Sequence, residues 1–307
     1  MKKTLIVALA VIGLLATVLM AAPAKKMIQV KGSDTLVNLV QILAEEYMGK
    51  NPGAAIAVLG GGSGTGITGL INKTCDIADH SREWKKKEIE QAWEKGVTPR
   101  FFVIAVDGLS IVVNEKNPIE KITFAQVGAL YRGEIKNWKM LGPYDKAVSL
   151  YGRQSNSGTY GFMQEFVLGN KNFSTDVKEM NGTAQIVESI LQDEGAVGYV
   201  GVGYLYDKDG KIRKGLRVLN ISKTPDGEAF APTDKANIDS GKYPISRPLF
   251  LAAGNYPALA NVLKQASNLQ KHNAHLFKLI NGAETRLMTA ARKIIKQSRG
   301  ERLDRKP

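Results

Sequence analysis

Short apolar segments alternate with amphipathic segments along most of the chain. Residues 26–30 predict a short strand, and apolar residues then recur at helical spacing over residues 36–47. Residues 55–59 have the apolar character of a buried strand. They lead through a glycine-rich segment into a second short helix that we predict to begin at Ile67. The chain therefore opens with two strand–helix units.

The same alternation continues to about residue 221. We predict a charged helix over residues 84–95, and strands over 100–106 and 109–114 that flank Asp107-Gly108. The remaining predicted elements are a helix over 124–131, a strand over 148–152, an apolar helix that includes residues 162–167, and elements over 183–191, 196–204 and 216–221. This alternation predicts an α/β fold with a largely parallel sheet in each of two domains. Because no polar linker separates the domains, we expect them to share crossing strands.

The first 24 residues are expected to form an export signal that is separate from the fold. Met1-Lys2-Lys3 is positively charged, residues 5–20 form an apolar run, and Ala22-Pro23-Ala24 has the small residues of a cleavage site. We therefore predict a signal peptide over residues 1–24 that is cleaved after Ala24, with an uncleaved membrane anchor as the alternative. No cysteine lies at the end of the apolar run, so lipid attachment there is excluded.

The composition limits the chemistry without choosing a ligand. A net charge of +13 leaves nucleic acid, an acidic surface or a small anion open as partners. The single cysteine, Cys75, excludes an internal disulfide and a thiolate cluster, and three histidines argue against a multi-histidine metal site. The tail over residues 284–307 holds eight basic and three acidic residues, which fits a solvated amphipathic helix or a partner-binding segment.

Three clusters of glycine and hydroxyl residues lie where a predicted strand gives way to a helix. They cover residues 32–36, 62–64 and 157–159. The first turn of a helix carries unpaired N–H groups and the positive end of the helix dipole, so each cluster can hold an anion or can be an ordinary cap. Arg153 lies four residues before Ser157, at the end of a strand. If the two domains face each other, these groups converge on one anion site.

Motifs of other protein classes are excluded by their spacing. Residues 64–69 satisfy the G-x-G-x-x-G pattern, but they lie inside a predicted helix, whereas a dinucleotide site needs them at its entry. A P-loop needs lysine and a hydroxyl residue after its glycines, and Ile67 stands there. A nucleophile elbow needs glycine two residues away on both sides of the serine, which neither Ser63 nor Ser157 has.

Seven separated segments resemble, in order and spacing, the phosphate-binding proteins of phosphate ABC transporters. They are Lys31-Gly-Ser-Asp-Thr-Leu36, Gly60-Gly-Gly-Ser-Gly-Thr-Gly66, Cys75-Asp-Ile-Ala78, Val106-Asp-Gly-Leu109, Gly152-Arg-Gln-Ser-Asn-Ser-Gly-Thr-Tyr160, Gly195-Ala-Val-Gly-Tyr199 and Tyr243-Pro-Ile-Ser-Arg-Pro248. The resemblance covers about residues 28–252 and fades beyond them. It implies a periplasmic-binding-protein fold, in which two α/β lobes are joined by two crossing strands and hold the ligand in the cleft. On this basis we assign residues 25–106 and 245–307 to lobe 1 and residues 107–244 to lobe 2.

The resemblance also implies a function. The protein would be an exported, periplasmic monomer that captures inorganic phosphate and delivers it to a membrane ABC permease, without catalysis, cofactor, metal or nucleic acid. Arg153 would supply the only full positive charge, while backbone N–H groups and hydroxyls would supply the other donors. The residues that the resemblance assigns to the ligand are Asp34, Thr35, Leu36, Ser63, Ser81, Arg153, Ser157, Gly158 and Thr159.

Two positions depart from the family pattern and leave the choice of anion open. Family members carry an aspartate that accepts the proton of hydrogen phosphate where this chain has Ser81, and a second aspartate where it has Ser155. A carboxylate rejects fully ionised sulfate, whereas serine can donate to it, so sulfate, molybdate and tungstate are alternatives. Asp79 or a water would restore the discrimination. Arg82 is either a second cation in the cleft or a solvated residue at a helix start.

Two further hypotheses come from other functional classes. An exported phosphate-ester enzyme would need a metal cluster, an activated nucleophile or a histidine near the three clusters, and the sequence offers none there. A nucleic-acid binder would need a basic stripe with interleaved aromatic residues, but the basic residues are mixed with acidic ones until the tail.

Overall fold

The computed structural model describes residues 27–254. The predicted signal peptide over residues 1–24 and the basic tail over residues 284–307 lie outside this part of the chain. Within residues 27–254, no helix is both long enough and apolar enough to cross a membrane.

The described chain alternates strands and helices and ends on a long strand. The strands are β1 (Ile28–Gly32), β2 (Ile56–Leu59), β3 (Ile77–His80), β4 (Arg100–Asn114), β5 (Lys121–Thr123), β6 (Ser149–Arg153), β7 (Lys178–Met180), β8 (Ala196–Gly201), β9 (Leu216–Val218), β10 (Asn220–Ser222), β11 (Ala229–Phe230) and β12 (Ser246–Ala253). The helices are α1 (Val37–Lys50), α2 (Ser63–Ile71), α3 (Lys86–Glu94), α4 (Phe124–Tyr131), α5 (Gly158–Phe162), α6 (Thr183–Gln192) and α7 (Lys235–Asp239). Three short helical segments complete the list: Trp138–Met140, Met163–Val167 and Val202–Leu205.

One continuous sheet links two α/β lobes. Its strand order is β2-β1-β3-β12-β4-β8-β6-β7, with β9 also paired to β4. In this description lobe 1 is the part around β1, β2 and β3, and lobe 2 is the part around β6, β7 and β8. Strands β1, β2 and β3 are parallel to one another, and so are β6, β7 and β8. The prediction of a largely parallel sheet in each domain is only partly right, because β12 and β4 run antiparallel to their neighbours.

The long strand β4 passes from one lobe to the other. Its first part, from Arg100 to Gly108, pairs with β12, and its second part, from Leu109 to Val113, pairs with β8. The prediction of two strands that flank Asp107-Gly108 is therefore wrong. Gly108 does not break the strand. A Cβ at this position would lie 2.5 Å from Cδ1 of Ile238, so glycine is needed here for α7 to pack against β4. Asp107 is also accommodated within the strand, because its carboxylate accepts hydrogen bonds from an arginine of the neighbouring strand β12.

Each lobe packs helices on its sheet. In lobe 1, α2 and α3 cover one side through residues such as Ile67 and Ala92, and α1 packs through Val40 on another cluster. Lobe 2 has a larger core around Tyr131 and Trp138, and Trp138 donates its indole N–H to the carbonyl of Gly195 at 2.9 Å. These cores hold the strand ends that carry the polar clusters.

Several element boundaries differ from those predicted. Helix α2 begins at Ser63 and not at Ile67, because the glycine-rich segment supplies its first turn. A Cβ at Gly66 would lie 2.1 Å from the carbonyl oxygen of Lys31, so this glycine brings α2 close to β1. The predicted element over residues 216–221 is two strands of different sheets, since β9 pairs with β4 and β10 pairs with β5 and β11. The predicted element over residues 196–204 is a strand that ends at Gly201.

Candidate functional site

Lobe 1 brings three buried serines together at the ends of its strands. Ser33 follows β1, Ser81 follows β3, and Ser63 begins α2 after β2. The Ser33 hydroxyl donates to Oγ of Ser81 at 2.8 Å, and the backbone N–H of Ser81 donates to Oγ of Ser63 at 3.1 Å. The carboxyl ends of parallel strands meet at one edge, which is why residues far apart in sequence form one cluster here. We call Ser33, Ser63 and Ser81 the serine cluster.

Lobe 2 presents the start of α5 to this cluster. A Cβ at Gly158 would lie 2.3 Å from Oγ of Ser63 and 2.7 Å from Oγ of Ser81, so only glycine allows this approach. The Ser157 hydroxyl accepts from the N–H groups of Thr159 and Tyr160, and Ser157 therefore acts as a helix cap. The hydroxyl oxygens of Thr35 and Thr159 lie 3.1 Å apart across the cleft.

Leu36 contributes to the core of lobe 1. Its side chain is fully buried in the cluster that includes Val40. Its backbone N–H donates to the carbonyl of Ser33 at 2.9 Å and closes the turn before α1. This N–H is therefore already engaged within the loop that carries Thr35.

Arg153 is buried at the end of β6 and donates in several directions. Its guanidinium bonds to Thr183 Oγ1 and to the carbonyl of Asn181, both at 3.0 Å. Its Nη2 also forms an ion pair with Asp34 of lobe 1. The other carboxylate oxygen of Asp34 accepts from the N–H of Gly61 at 3.1 Å. Asp34 therefore acts through its side chain as a bridge between the lobes.

A second buried arginine lies at the same site, in addition to the expected Arg153. Arg247 of β12 is aligned with Asp107 of β4, and its Nε and Nη2 donate to Oδ2 of Asp107 at 3.1 and 3.0 Å. Its Nη1 donates to the carbonyl of Ser81 at 3.1 Å. Its Nη2 also reaches the hydroxyl of Thr159 at 3.1 Å and that of Thr35 at 3.4 Å.

The surroundings of Arg247 come from both lobes. The ring of Phe162 in lobe 2 lies 5.3 Å from its Cζ, which is within the range of a cation–π contact. Burial lowers the pKa of Arg247, while Asp107 acts in the opposite direction. Arg247 belongs to the family segment Tyr243-Pro-Ile-Ser-Arg-Pro248, but this local sequence pattern does not indicate that the arginine reaches the cleft.

Arg82 is not solvated, because its side chain is largely buried and lies in a bidentate ion pair with Glu88 of α3. The two bonds measure 2.9 and 2.7 Å. Burial opposes ionisation of Glu88, but the bonds from Arg82 outweigh it and lower the pKa of this carboxyl. Arg82 also packs near Gly161 of lobe 2, where a Cβ would lie 3.1 Å from its Cδ. The structure thus places Arg82 beside the cleft with its charge directed to α3.

Asp79 is a buried carboxyl near the serine cluster. It is fully buried on β3, and within residues 27–254 neither of its carboxylate oxygens has a hydrogen-bond partner. Desolvation raises its pKa to about 8, so Asp79 holds its proton at neutral pH. Ser155 is exposed. The carboxylate beside Arg153 is therefore that of Asp34 and comes from the opposite lobe.

The two lobes touch directly at the mouth of the cleft. The N–H of Gly64 donates to the carbonyl of Asn156 at 2.9 Å, and the Asn156 amide donates to the carbonyl of Gly61 at 3.0 Å. The Tyr204 hydroxyl donates to the carbonyl of Asp34. These bonds, together with the Asp34–Arg153 pair, hold the lobes in a closed arrangement.

The arrangement is suited to holding an anion. It combines hydroxyls of both lobes with two guanidinium groups, which favour negative charge, and each guanidinium is paired with an aspartate. His80 is the histidine nearest in sequence to the serine cluster, but its Nδ1 is 2.7 Å from the carbonyl of Arg82 and its ring stacks on Phe250. Desolvation lowers the pKa of His80 to about 4, so it is neutral. Within residues 27–254, no group of three or more histidine, cysteine or acidic residues could hold a metal ion.

The chain is similar to known proteins along most of its length. Residues 20–266 match the model of the PBP superfamily domain. The chain is 34% identical over 239 residues to the phosphate-binding protein PstS of Pseudomonas aeruginosa, which covers 74% of this chain and 72% of that protein. It is 30% identical over 239 residues to the phosphate-binding protein PstS of Borreliella burgdorferi, and this match covers 75% of this chain and 80% of that protein. The crystal structure of an ABC-type phosphate transport receptor from Vibrio cholerae superposes with a TM-score of 0.61 at 26% identity, and covers 83% of this chain and 97% of that one.

Proposed function

Because the chain belongs to the PBP superfamily and, within it, to the family of phosphate-binding proteins, we propose that it captures inorganic phosphate for an ABC transporter. It acts by binding, as its relatives are named for binding, and not as an enzyme. The observation that carries the proposal is the convergence of hydroxyl groups and two buried arginines from both lobes on one cleft.

The proposed ligand contacts come from the two facing walls. Lobe 1 offers the serine cluster and the hydroxyl of Thr35, and lobe 2 offers Thr159, Gly158 and Arg153. Bonds between an anion and such donors are charge-assisted, and each contributes about 1.5–3 kcal/mol. Several of them together can exceed the cost of association and give binding in the micromolar range or tighter.

Closure of the lobes is part of the proposed mechanism. Because the donors are divided between lobes, an anion meets all of them only when the cleft is shut, and it stabilises that state by its differential affinity. The direct contact between Thr35 and Thr159 is one that an anion held by both walls would replace. We further propose that residues 25–106 and 245–307 form one lobe and residues 107–244 the other, as expected from the sequence.

The relatives also support an extracytoplasmic role. We propose that residues 1–24 direct export to the periplasm, where the mature protein acts as a monomer and delivers phosphate to a membrane permease. No cofactor, metal or nucleic acid enters this proposal.

A titration of the phosphate-free mature protein by calorimetry tests the proposal. The titrants are phosphate, sulfate, molybdate and a phosphomonoester, each measured on the wild type, on Arg153→Ala and on Arg213→Ala. Arg213 is a matched surface arginine that pairs with Glu188 at the protein surface. We expect phosphate to bind most tightly, Arg153→Ala to lose at least about tenfold in affinity, and Arg213→Ala to bind as the wild type does.

Two outcomes would contradict the proposal. The first is sulfate or molybdate binding as tightly as phosphate, and the second is an Arg153→Ala protein with unchanged phosphate affinity. Turnover of the phosphomonoester in the same samples would reveal a hydrolase instead.

A further inference from the structure

Arg247 contacts hydroxyls of both lobes from the part of the sheet that lies between them. It lies on β12, beside Asp107 of β4, where the sheet passes from lobe 1 to lobe 2. Its Nη2 lies 3.4 Å from the hydroxyl oxygen of Thr35 in lobe 1 and 3.1 Å from that of Thr159 in lobe 2. The three groups form a triangle, because the two hydroxyl oxygens are themselves 3.1 Å apart.

The chemistry of this triangle favours hydroxyls that accept from Arg247 and donate to a ligand. A guanidinium can only donate, whereas a hydroxyl has one proton and can accept at its lone pairs. Nη2 of Arg247 has two protons: one is directed to Oδ2 of Asp107, and the other faces the two hydroxyl oxygens, which share it as acceptors. Without an anion one of the two hydroxyls donates to the other, and an anion held between the walls would receive that proton instead. An oxyanion such as phosphate accepts hydrogen bonds from such protons.

Asp107 determines how Arg247 can act. Its Oδ2 accepts from both Nε and Nη2, and the carbonyl of Ser81 accepts from Nη1. These three bonds hold the guanidinium plane in place and compensate its charge within the protein. Arg247 is therefore suited to act on an anion through the two threonines.

We propose that Arg247, held by Asp107, is a positioning residue of the anion site that turns the hydroxyls of Thr35 and Thr159 into donors for the bound anion. The inference rests on the proposed function. It assigns to the crossing strands a part in ligand binding, because the acceptor oxygens of the anion benefit from donors that are already oriented. Since the two threonines belong to different lobes, Arg247 completes this arrangement only when the cleft is closed.

Substitution by lysine separates this role from a structural one. The ammonium group of Arg247→Lys keeps a positive charge for Asp107, but it is a point charge without the planar fork that binds Asp107 and Ser81 and thereby places Nη2 beside both threonines. We expect Arg247→Lys to keep a melting temperature within a few degrees of the wild type and to bind inorganic phosphate about tenfold more weakly, measured by calorimetry. Arg213→Lys, on the surface, is the matched control and should bind phosphate as the wild type does.

A double substitution tests whether Arg247 acts through Thr159. Thr159→Val removes the hydroxyl but keeps the shape, and we expect about a tenfold loss of phosphate affinity. If Arg247 acts through this hydroxyl, the Arg247→Lys/Thr159→Val protein should bind only as weakly as the weaker single variant. Should lysine prevent folding, Asp107→Leu/Arg247→Met removes both charges of the pair and is expected to show the same loss.

The outcomes separate this inference from the proposed function. A wild-type protein that does not bind phosphate overturns both. Wild-type binding with unchanged affinity in Arg247→Lys, or losses that multiply in the double variant, overturns the role of Arg247 alone.

Discussion

The two buried arginine–aspartate pairs use the same chemistry on different supports. Arg247 and Asp107 sit opposite each other on neighbouring strands, and sheet register holds them together. Arg153 and Asp34 belong to different lobes and meet across the cleft. In both pairs the arginine side chain is 1% exposed, whereas the aspartate is 4% exposed in the first pair and 16% exposed in the second.

The difference shows which contacts are permanent and which depend on closure. The pair on the crossing strands persists as long as the sheet is intact, so it belongs to the folded frame of the protein. The pair across the cleft exists only when the lobes meet, so it contributes to the balance between open and closed states. The closed arrangement is thus stabilised by charge as well as by hydrogen bonds from Gly64 and Asn156.

Asp79 is a third buried acid at the site, and among residues 27–254 its carboxylate oxygens have no hydrogen-bond partner. Its carboxyl lacks the arginine that Asp34 and Asp107 have, and desolvation raises its pKa to about 8. Within the described residues, the site thus combines two paired carboxylates with one that holds its proton at neutral pH.

The largest expected effect is on the free energy of unfolding when the Arg247–Asp107 pair is broken. Asp107→Asn leaves the buried guanidinium of Arg247 without a counter-charge, and we expect the free energy of unfolding to fall by about 3–5 kcal/mol. Chemical denaturation monitored by circular dichroism measures it. Glu188→Gln, which breaks the exposed pair with Arg213, is the control and should change stability by less than about 1 kcal/mol. A loss below about 1 kcal/mol for Asp107→Asn would mean that the crossing strands do not depend on this pair.

The next largest effect is expected for the pH dependence of stability, through the buried carboxyl of Asp79. The pKa of Asp79 is raised from an unfolded value near 3.8 to about 8, so its contribution makes the protein less stable as the pH rises between these values. Asp79→Asn removes this dependence, and its stability relative to the wild type should increase by roughly 1 kcal/mol per pH unit between pH 5 and pH 7. Melting temperatures of the two proteins across this range measure it, with Asp209→Asn in an exposed turn as control. A constant difference across that range would show that Asp79 is ionised in the folded protein.

A smaller effect is expected for the pair that depends on closure. Asp34→Asn removes the counter-charge that lobe 1 offers to Arg153, and the closed state should lose about 1–2 kcal/mol. The phosphate-free protein should then show a larger radius of gyration in small-angle X-ray scattering, while its unfolding changes less than that of Asp107→Asn. An unchanged radius together with a large loss of stability would make this pair part of the frame as well.

The smallest effect is expected for the uncharged bridge at the mouth of the cleft. Asn156→Ala removes the amide bonds to Gly61 and Thr65, which together are worth about 0.5–1.5 kcal/mol in this exposed position. Phosphate affinity should weaken a few-fold, with Gln91→Ala on the exposed face of α3 as control. A loss as large as that of Arg153→Ala would place the main closing contact at Asn156.

Local sequence patterns determined the elements whose signals are complete within a few residues. Helix α4 covers residues 124–131 as predicted, because the Thr123 hydroxyl and the Gln126 side chain cap its first turn reciprocally. The α/β alternation and the family segments likewise gave the fold class and brought Thr35, Ser63 and Thr159 to one site. Each of these signals lies in short stretches of the chain.

Tertiary structure alone decided the electrostatics of the site. From the sequence, Asp107-Gly108 is predicted to separate two strands. In the structure it lies within one strand, because Arg247, 140 residues away, pairs with the aspartate and Ile238 fills the space beside the glycine. Asp34 gains its partner Arg153 from 119 residues away, and Asp79 retains its proton because burial removes its carboxyl from water. The sequence determined the lobes and the kind of groups at their strand ends, since local propensity and periodicity act over one element. Strand register and lobe closure decided which charged residues pair with each other, because they bring residues that are distant in sequence within bonding distance.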